Sequence, residues 1–564
     1  MAMANLAKSD TLFAFTSPRT LEKTIPEIRL LTENFSGKIW VGNEDIQIQY
    51  FNLLFQSGFY EGETKPTDIP FAARDRITRS PKALGFVDLE PEIAITSVGR
   101  LLLENKRVDE IFTRQLMKFQ LPSPYHVSGT SDRFYVKPYL ELLRLAYDLD
   151  GLSKTEMAIF FLQLTHLSKY DAIKEKILRF RKEGKKTRIN RRTFIEECFR
   201  RELKETFAGK LSRREYSTRE SSTKSAKRFI ATKKNNMRDY ADAFMRYLRA
   251  TQLVTFKQNE LRLKVSDFKR GEVEFLLKTV EREPRQFTDQ DSFKSYLFDP
   301  SNPKLLTDDK GYLLARIGKI TDGTRFVKPS MTIEKLKEYL STLEQKQRAN
   351  NLEKTTQALK SYDEFPEILS VFEQIHHREL PDPSLYLEWN VWRALTMLNY
   401  AIKVHGNFSF DLDGAPLCTA QGNKPDIECE YDHFGLIVEV TLSSGCRQYE
   451  MEGEPVARHY GNIRKIFKEK PVFCLFLAPT INDAALAHFY NLNRMHTRVY
   501  GGKTKIIPMA LPTFIKFMET GVRKQFTETE ILKQFFDKAI EAIDNSQDEK
   551  VWFDFIDNMA RQWI

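Results

Sequence analysis

The sequence predicts a multidomain chain with α+β and α/β parts: two amino-terminal mixed modules, a helical linker and a carboxy-terminal domain on a mixed sheet. Three observations carry this expectation. The chain has 564 residues, too many for one hydrophobic core. Positive charge is concentrated in one stretch of the first half. After residue 430, strand and helix patterns alternate, as a sheet with parallel crossovers requires.

Residues 1–130 read as a first module. Residues 27–35 and 46–56 have helical periodicity. The run Ala73-Arg74-Asp75-Arg76-Ile77-Thr78-Arg79 follows and ends near Pro81. Two short apolar segments, 84–88 and 93–96, flank an acidic turn around Pro91, and a helix is expected over 98–104. A hairpin that ends at a threonine before a helix is a winged-helix-like pattern. In such domains the helix before the hairpin enters the major groove. Arg74, Arg76 and Arg79 are candidates for base or phosphate contacts, and Lys82 for phosphate, because guanidinium matches guanine O6 and N7 while ammonium is a point charge. The competing reading for each is an ordinary surface ion pair.

Residues 131–300 read as a second winged-helix-like module, rich in basic residues. Helices are expected over 139–148 and 154–167, the latter capped by Ser153. From Lys174 to Arg238 there are 23 Lys/Arg against 8 Asp/Glu, a local charge of +15 in a chain whose total is +10. The rest of the chain therefore sums to −5. A basic stretch on a slightly acidic remainder is the footprint of a polyanion-binding region, with a solvated helix face as the plain alternative. Arg213, Arg214, Lys224 and Lys227 are its candidate DNA contacts, around a Ser/Thr-rich loop at 217–225. A helix over 236–251 and a hairpin over 252–263 follow, with Phe244 and Tyr247 assigned to the core.

Residues 301–380 read as a helical linker. The segment 330–362 has no proline and is rich in Leu, Glu, Lys and Gln, with Pro329 and Pro366 at its ends. Residues 381–564 form the last domain: an apolar helix over 386–401 carrying Glu388, strands within 408–442, a helix over 455–468, a strand over 472–477, a helix over 482–491 and a strand over 505–509.

The chemistry centres on 422–441. Phe434 to Leu442 is apolar and β-branched, with one acid, Glu439, inside it. A carboxylate in a buried strand is costly unless it is paired or bound to a metal. Asp426 supplies a second carboxylate if the two segments pair as a hairpin, and two converging acids suit Mg²⁺. The competing reading is an edge strand with Glu439 in solvent.

Pro425-Asp426, twelve intervening residues, then Glu439-Val440-Thr441 resembles a PD-(D/E)xK nuclease core, with Thr441 where the lysine usually stands. The longer string, from Gly422-Asn423-Lys424-Pro425-Asp426 through Glu439-Val440-Thr441 to Met451-Glu452-Gly453-Glu454-Pro455-Val456-Ala457-Arg458-His459-Tyr460, resembles the AlwI family of type IIS restriction endonucleases, relatives of the BstNBI-type nicking enzymes. The likeness extends to Ser17-Pro18-Arg19 and to Ala73-Arg74-Asp75-Arg76. It implies a Mg²⁺-dependent endonuclease domain with Asp426 and Glu439 as metal ligands, and counts Glu452, His459 and Glu388 with the active site. It also implies double-stranded DNA as partner, at a five-base-pair site of the GAGTC or GGATC kind, cut a few base pairs to one side. A transient dimer or a small nuclease subunit would serve the second strand. His459 is either a general base or a structural histidine, and Glu388 either a site acid or a partner of Arg393. Gln448 and Glu452 lie either on the helix of His459 or in a loop before it. Gln448, Arg458 or His459 replaces the missing lysine.

Other classes are disfavoured. There is no P-loop, Gly-x-Gly-x-x-Gly, His-Glu-x-x-His or Gly-x-Ser-x-Gly motif. No apolar run approaches the roughly 18 residues that span a bilayer, and no secretory signal is evident. Five cysteines without zinc spacing fit a reducing cytoplasm. The remaining rivals are a DNA-binding regulator with a degenerate nuclease domain and a repair nuclease that reads shape.

Overall fold

The computed structural model describes residues 6, 9–60, 65–126, 133–218, 222, 225–323, 330–398, 400–419, 424–467, 469–526 and 528–564. The chain divides into two compact units, Met1–Phe59 with Pro66–Gln347, and Tyr60–Lys65 with Arg348–Ile564. The segments expected as separate modules at 1–130 and 131–300 fall in the first unit, apart from Tyr60–Lys65, which belongs to the second. The expected linker at 301–380 is shared, and the division falls inside the helix Ile333–Leu359.

In the first unit, helices Thr24–Phe35, Glu44–Gln56 and Ile69–Thr78 precede a two-stranded hairpin, Val87–Asp88 with Ala94–Ile95. Asn43 and Asp68 cap the second and third helices by accepting the amide hydrogens of Ile46 (3.2 Å) and Phe71 (2.8 Å). Thr96 ends the hairpin and caps the helix Ser97–Leu103 through Gly99 N–H at 2.9 Å. Gly99 is required here: a Cβ would lie 2.0 Å from the Phe86 carbonyl oxygen.

Ser153 caps the next short helix in a capping box with Glu156. That helix ends at Ile159, not near 167, and gives way to short 3₁₀ turns at Phe161–Gln163 and Leu167–Lys169. The run Ile159, Phe160, Phe161, Leu162 and Leu164 is buried throughout, so no polar face exists to carry an amphipathic helix onward. The basic stretch occupies helices Tyr170–Lys186, Arg191–Thr206, Ala208–Ser212 and Ala226–Arg249. The last of these starts ten residues before the expected 236. Phe244 and Tyr247 are fully buried, and Phe244 packs its ring on Tyr139 and Phe161. The hairpin Val254–Lys257 with Arg262–Val265 follows, two residues later than the expected 252–263 at each end.

The second unit holds a five-stranded mixed sheet in the order Ile506–Ala510, Val472–Ala478, Gly435–Val440, Ile427–Glu430, Lys403–Gly406. The first three strands are parallel and the last two join antiparallel. Both faces are covered. Helices Cys446–Ile466 and Asp483–Arg494 bury Ile437, Val472, Cys474, Phe476 and Ile506 on one side. Phe434 and Phe473 pack against Phe536 of the helix Thr529–Glu541 on the other. Gly435–Val440 is therefore a central strand, and the edge-strand alternative does not hold. The helix carrying Glu388 spans Pro383–Met397 and stops short of the expected 401.

Candidate active site

The site grows from the hairpin of Ile427–Glu430 with Gly435–Val440. Ile427 stands opposite Val438, so one step further places Asp426 opposite Glu439. Side chains directly opposed in an antiparallel pair share a face. The Asp426 carboxylate is anchored there by the Val440 amide, which donates to Oδ2 at 2.8 Å. Glu439 shares the face of Ile437, which is turned to the helix Cys446–Ile466. It is only 6% exposed.

That helix supplies the rest. It starts nine residues before the expected 455 and runs through Pro455. Gln448, Glu452 and His459 therefore all lie on one helix, which removes the approach-loop alternative. Spacings of four and seven keep them on one face. His459 Nδ1 lies 2.8 Å from Glu439 Oε1. With Glu439 ionised, as a metal ligand is, Nδ1 would carry the hydrogen. Nε2 is buried and has no hydrogen-bond partner among the described residues.

The electrostatics follow from crowding. Burial, then the charge of Glu439, raises the pKa of Asp426 well above the carboxylate range, and the Val440 amide offsets part of this. Burial, then Glu452, does the same to Glu439. Burial raises Glu452, against the Thr441 hydroxyl and His459. His459 is lowered by burial and by the cation of Arg458, so its imidazole is neutral at neutral pH. Three acids thus strain against one another.

Such a set has the chemistry of a hard-cation site. Asp426 and Glu439 offer oxygen donors whose mutual repulsion a divalent ion would relieve. Among the described residues no group of three or more His, Cys, Asp or Glu side chains forms a ready-made metal cage. Two carboxylates with the remaining positions left to water and phosphate suit Mg²⁺, which keeps several waters.

The other expectations fall out unevenly. Thr441 has no charge to offer, and its hydroxyl accepts the Ser443 amide hydrogen at 3.0 Å. Gln448 is fully buried and its amide is committed to the backbone: it donates to Ser443 O (3.0 Å) and Thr480 O (2.8 Å) and accepts from Asn482 N (2.7 Å). It clamps two loops and does not replace the lysine. Arg458 pairs with Glu454 at 3.2 Å. Glu388 is buried on the helix Pro383–Met397, which packs on the edge strand Lys403–Gly406. Arg393, the partner weighed for it, pairs instead with Glu364 (3.2 Å) and Glu367 (3.3 Å).

Sequence reasoning passed over Asn407. Its side chain donates to Pro425 O (2.7 Å) and Glu428 Oε1 (2.8 Å), and its amide donates to Asp426 O (2.8 Å). It pins the turn that presents Asp426. An asparagine just after a strand was the available signal, but such residues are common in turns.

The proposed DNA contacts separate into two groups. Arg76 is 5% exposed and holds buried Glu27 through Nε (2.8 Å) and Nη2 (2.6 Å). Lys82 is 1% exposed and pairs with Glu90 at 3.0 Å. Both cations serve the interior, so neither side chain is presented to a nucleic acid. Arg74 bonds Gln47 Oε1 at 2.8 Å, and Arg79 pairs with Asp75 at 2.7 Å. Both are partly buried. Arg213, Arg214 and Lys227 are exposed, with Arg213 paired to Glu215 at 2.7 Å. Lys224 lies outside the described residues.

A family model described as AlwI restriction endonuclease matches residues 82–517. Among solved structures, the small subunit R.BspD6I2 of the heterodimeric restriction endonuclease R.BspD6I is 25% identical, with 34% of this chain and 98% of that chain covered and a TM-score of 0.30. The BpuJ1 endonuclease binding domain, solved with pyrene- and phenanthrene-modified DNA, is 14% identical, with 53% of this chain and 98% of that chain covered and a TM-score of 0.31. No curated protein matches the chain. No helix of the described residues is long and apolar enough to cross a membrane.

Proposed function

Because this chain belongs to the AlwI restriction endonuclease family, we propose that its second unit hydrolyses DNA phosphodiester bonds with Mg²⁺ held by Asp426 and Glu439. The observation that carries the reading is the meeting of these two acids with His459 on one face of a hairpin. When bound, the ion supplies Lewis acidity and a water of lowered pKa. Asp426 stays fixed by the Val440 amide and Glu439 by His459. His459 gives its Nδ1 hydrogen to Glu439, so Nε2 is the atom that takes a proton from the attacking water. Burial keeps this imidazole in the basic, neutral form. Glu452 adds negative charge beside the pair and sharpens the demand for a cation.

The first unit would bind a short asymmetric duplex site, of the five-base-pair GAGTC or GGATC kind that the family resemblance suggests. Cleavage then falls a few base pairs to one side, as in a type IIS enzyme. One such centre cuts one strand. Cutting both requires a transient dimer through the nuclease domain or a separate small nuclease subunit; without either, the protein nicks. Incubating plasmid DNA with the protein and Mg²⁺, then sequencing the ends, reads site, offset and strandedness together. Cleavage by the wild type at one fixed distance from one motif, lost in Asp426→Ala, is the expected result. Sequence-specific binding without cleavage would leave a DNA-binding regulator instead.

A further inference from the structure

We infer that a cavity of about 430 Å³ in the first unit takes one backbone phosphate of the bound DNA, with Arg133 and Lys169 as its cations. The inference rests on the reading of duplex DNA as substrate. Asp10, Arg133, Thr165, His166, Ser168 and Lys169 wall this cavity. Both cations stand in the open, the Arg133 side chain 55% exposed and Lys169 also exposed.

Asp10 pairs with Arg133 at 3.3 Å and with Lys210 at 2.5 Å, so the one acid of the wall serves two cations. The Lys169 ammonium meets, among the described residues, only the neutral Thr165 hydroxyl at 2.9 Å. Partial desolvation, then the charge of Arg133, holds its pKa below the usual lysine range. Two cations that repel one another across a polar cavity, beside the hydroxyls of Thr165 and Ser168, form the complement of a tetrahedral anion. A phosphodiester offers two non-bridging oxygens, one for each cation, and hydroxyls add further donors.

The surroundings favour a polymer over a free ion. A smaller cavity of about 70 Å³ shares Ser9 and Asp10 with the first and carries Lys210 and Lys233. The basic stretch begins just past Lys169, on the helix Tyr170–Lys186. Cations thus continue beyond the first cavity, as the repeated phosphates of a duplex require.

The test compares the full chain with Arg133→Ala, Lys169→Ala and the double variant, with Lys550→Ala as a surface control in the other unit. Duplex binding is followed by fluorescence anisotropy across a salt series. The double variant is expected to weaken binding to cognate and unrelated duplexes by the same factor, and to lower the slope of log K against log salt by about 1. An unchanged slope, or a loss confined to one sequence, overturns the inference. So does calorimetry in which inorganic phosphate binds the pocket equally with and without saturating duplex, which marks a free-anion site. If the wild type itself fails to bind duplex, the reading of the substrate fails first, and the two failures are told apart.

Discussion

Asp426 is tied through Oδ2 to the amide of Val440, the residue that follows Glu439. The first acid is thus held by the backbone of the strand that carries the second. Their spacing is a property of the hairpin register, with Asn407 pinning the turn before Asp426.

That arrangement sets function against stability. Asp426 is held near like charges in a dry place, which raises its pKa. Asp426→Asn keeps an oxygen that can accept from Val440 and removes the repulsion. DNA cleavage should fall by about 10²-fold or more, while metal-free thermal stability stays equal or rises. Melting curves without divalent ion, beside cleavage rates with Mg²⁺, check both halves. A variant that melts lower yet still cuts would contradict the account.

His459→Gln should separate chemistry from binding. Losing the proton acceptor at Nε2 is expected to slow single-turnover cleavage by about 10²- to 10⁴-fold, with the affinity for duplex unchanged. Single-turnover rates with enzyme in excess, together with an anisotropy titration, decide. Equal losses in both would mark the histidine as structural.

Arg76 gives the opposite pattern. Its guanidinium lies beside buried Glu27, so Arg76→Ala removes the cation from next to an interior charge. The expected cost is about 3–5 kcal/mol of folding stability. Urea denaturation measures it. A stable variant with weakened DNA binding would instead restore Arg76 as a DNA contact.

His126 should make stability pH-dependent. Burial lowers its pKa from the usual 6.5 to about 4, and its Nδ1 accepts the Ser123 amide hydrogen at 3.1 Å. The unfolded chain takes up this proton as pH falls through 6.5, while the folded chain resists until about 4. The stabilisation is therefore complete above 6.5 and lost on the way down to about 4, amounting to at most about 3 kcal/mol. Denaturation midpoints at several pH values, compared with His126→Gln, check it. Identical pH slopes in the two proteins would refute it.

Much of the second unit was legible because its signals are local. The run at 434–442 announced a buried strand, and Asp426 lay at hairpin distance from Glu439. The start of the long helix was not legible, because Pro455 reads as a first-turn residue. Tertiary packing of Val456, Ala457 and Tyr460 on the sheet carries the helix through it. Arg76 misled for a related reason. A basic residue in sequence does not reveal a partner 49 positions away, as Glu27 is from Arg76. The cation wall around Arg133 and Lys169 was invisible for the same cause: it joins Asp10 to residues far along the chain.

The central position of Gly435–Val440 has a consequence for biosynthesis. Its hairpin with Ile427–Glu430 is complete early, but two strands alone are marginal in water. The neighbour that buries it, Val472–Ala478, pairs in parallel and arrives only after the helix Cys446–Ile466 has crossed back. A ribosome-bound or prematurely terminated chain thus contains both acids without the frame that aims them.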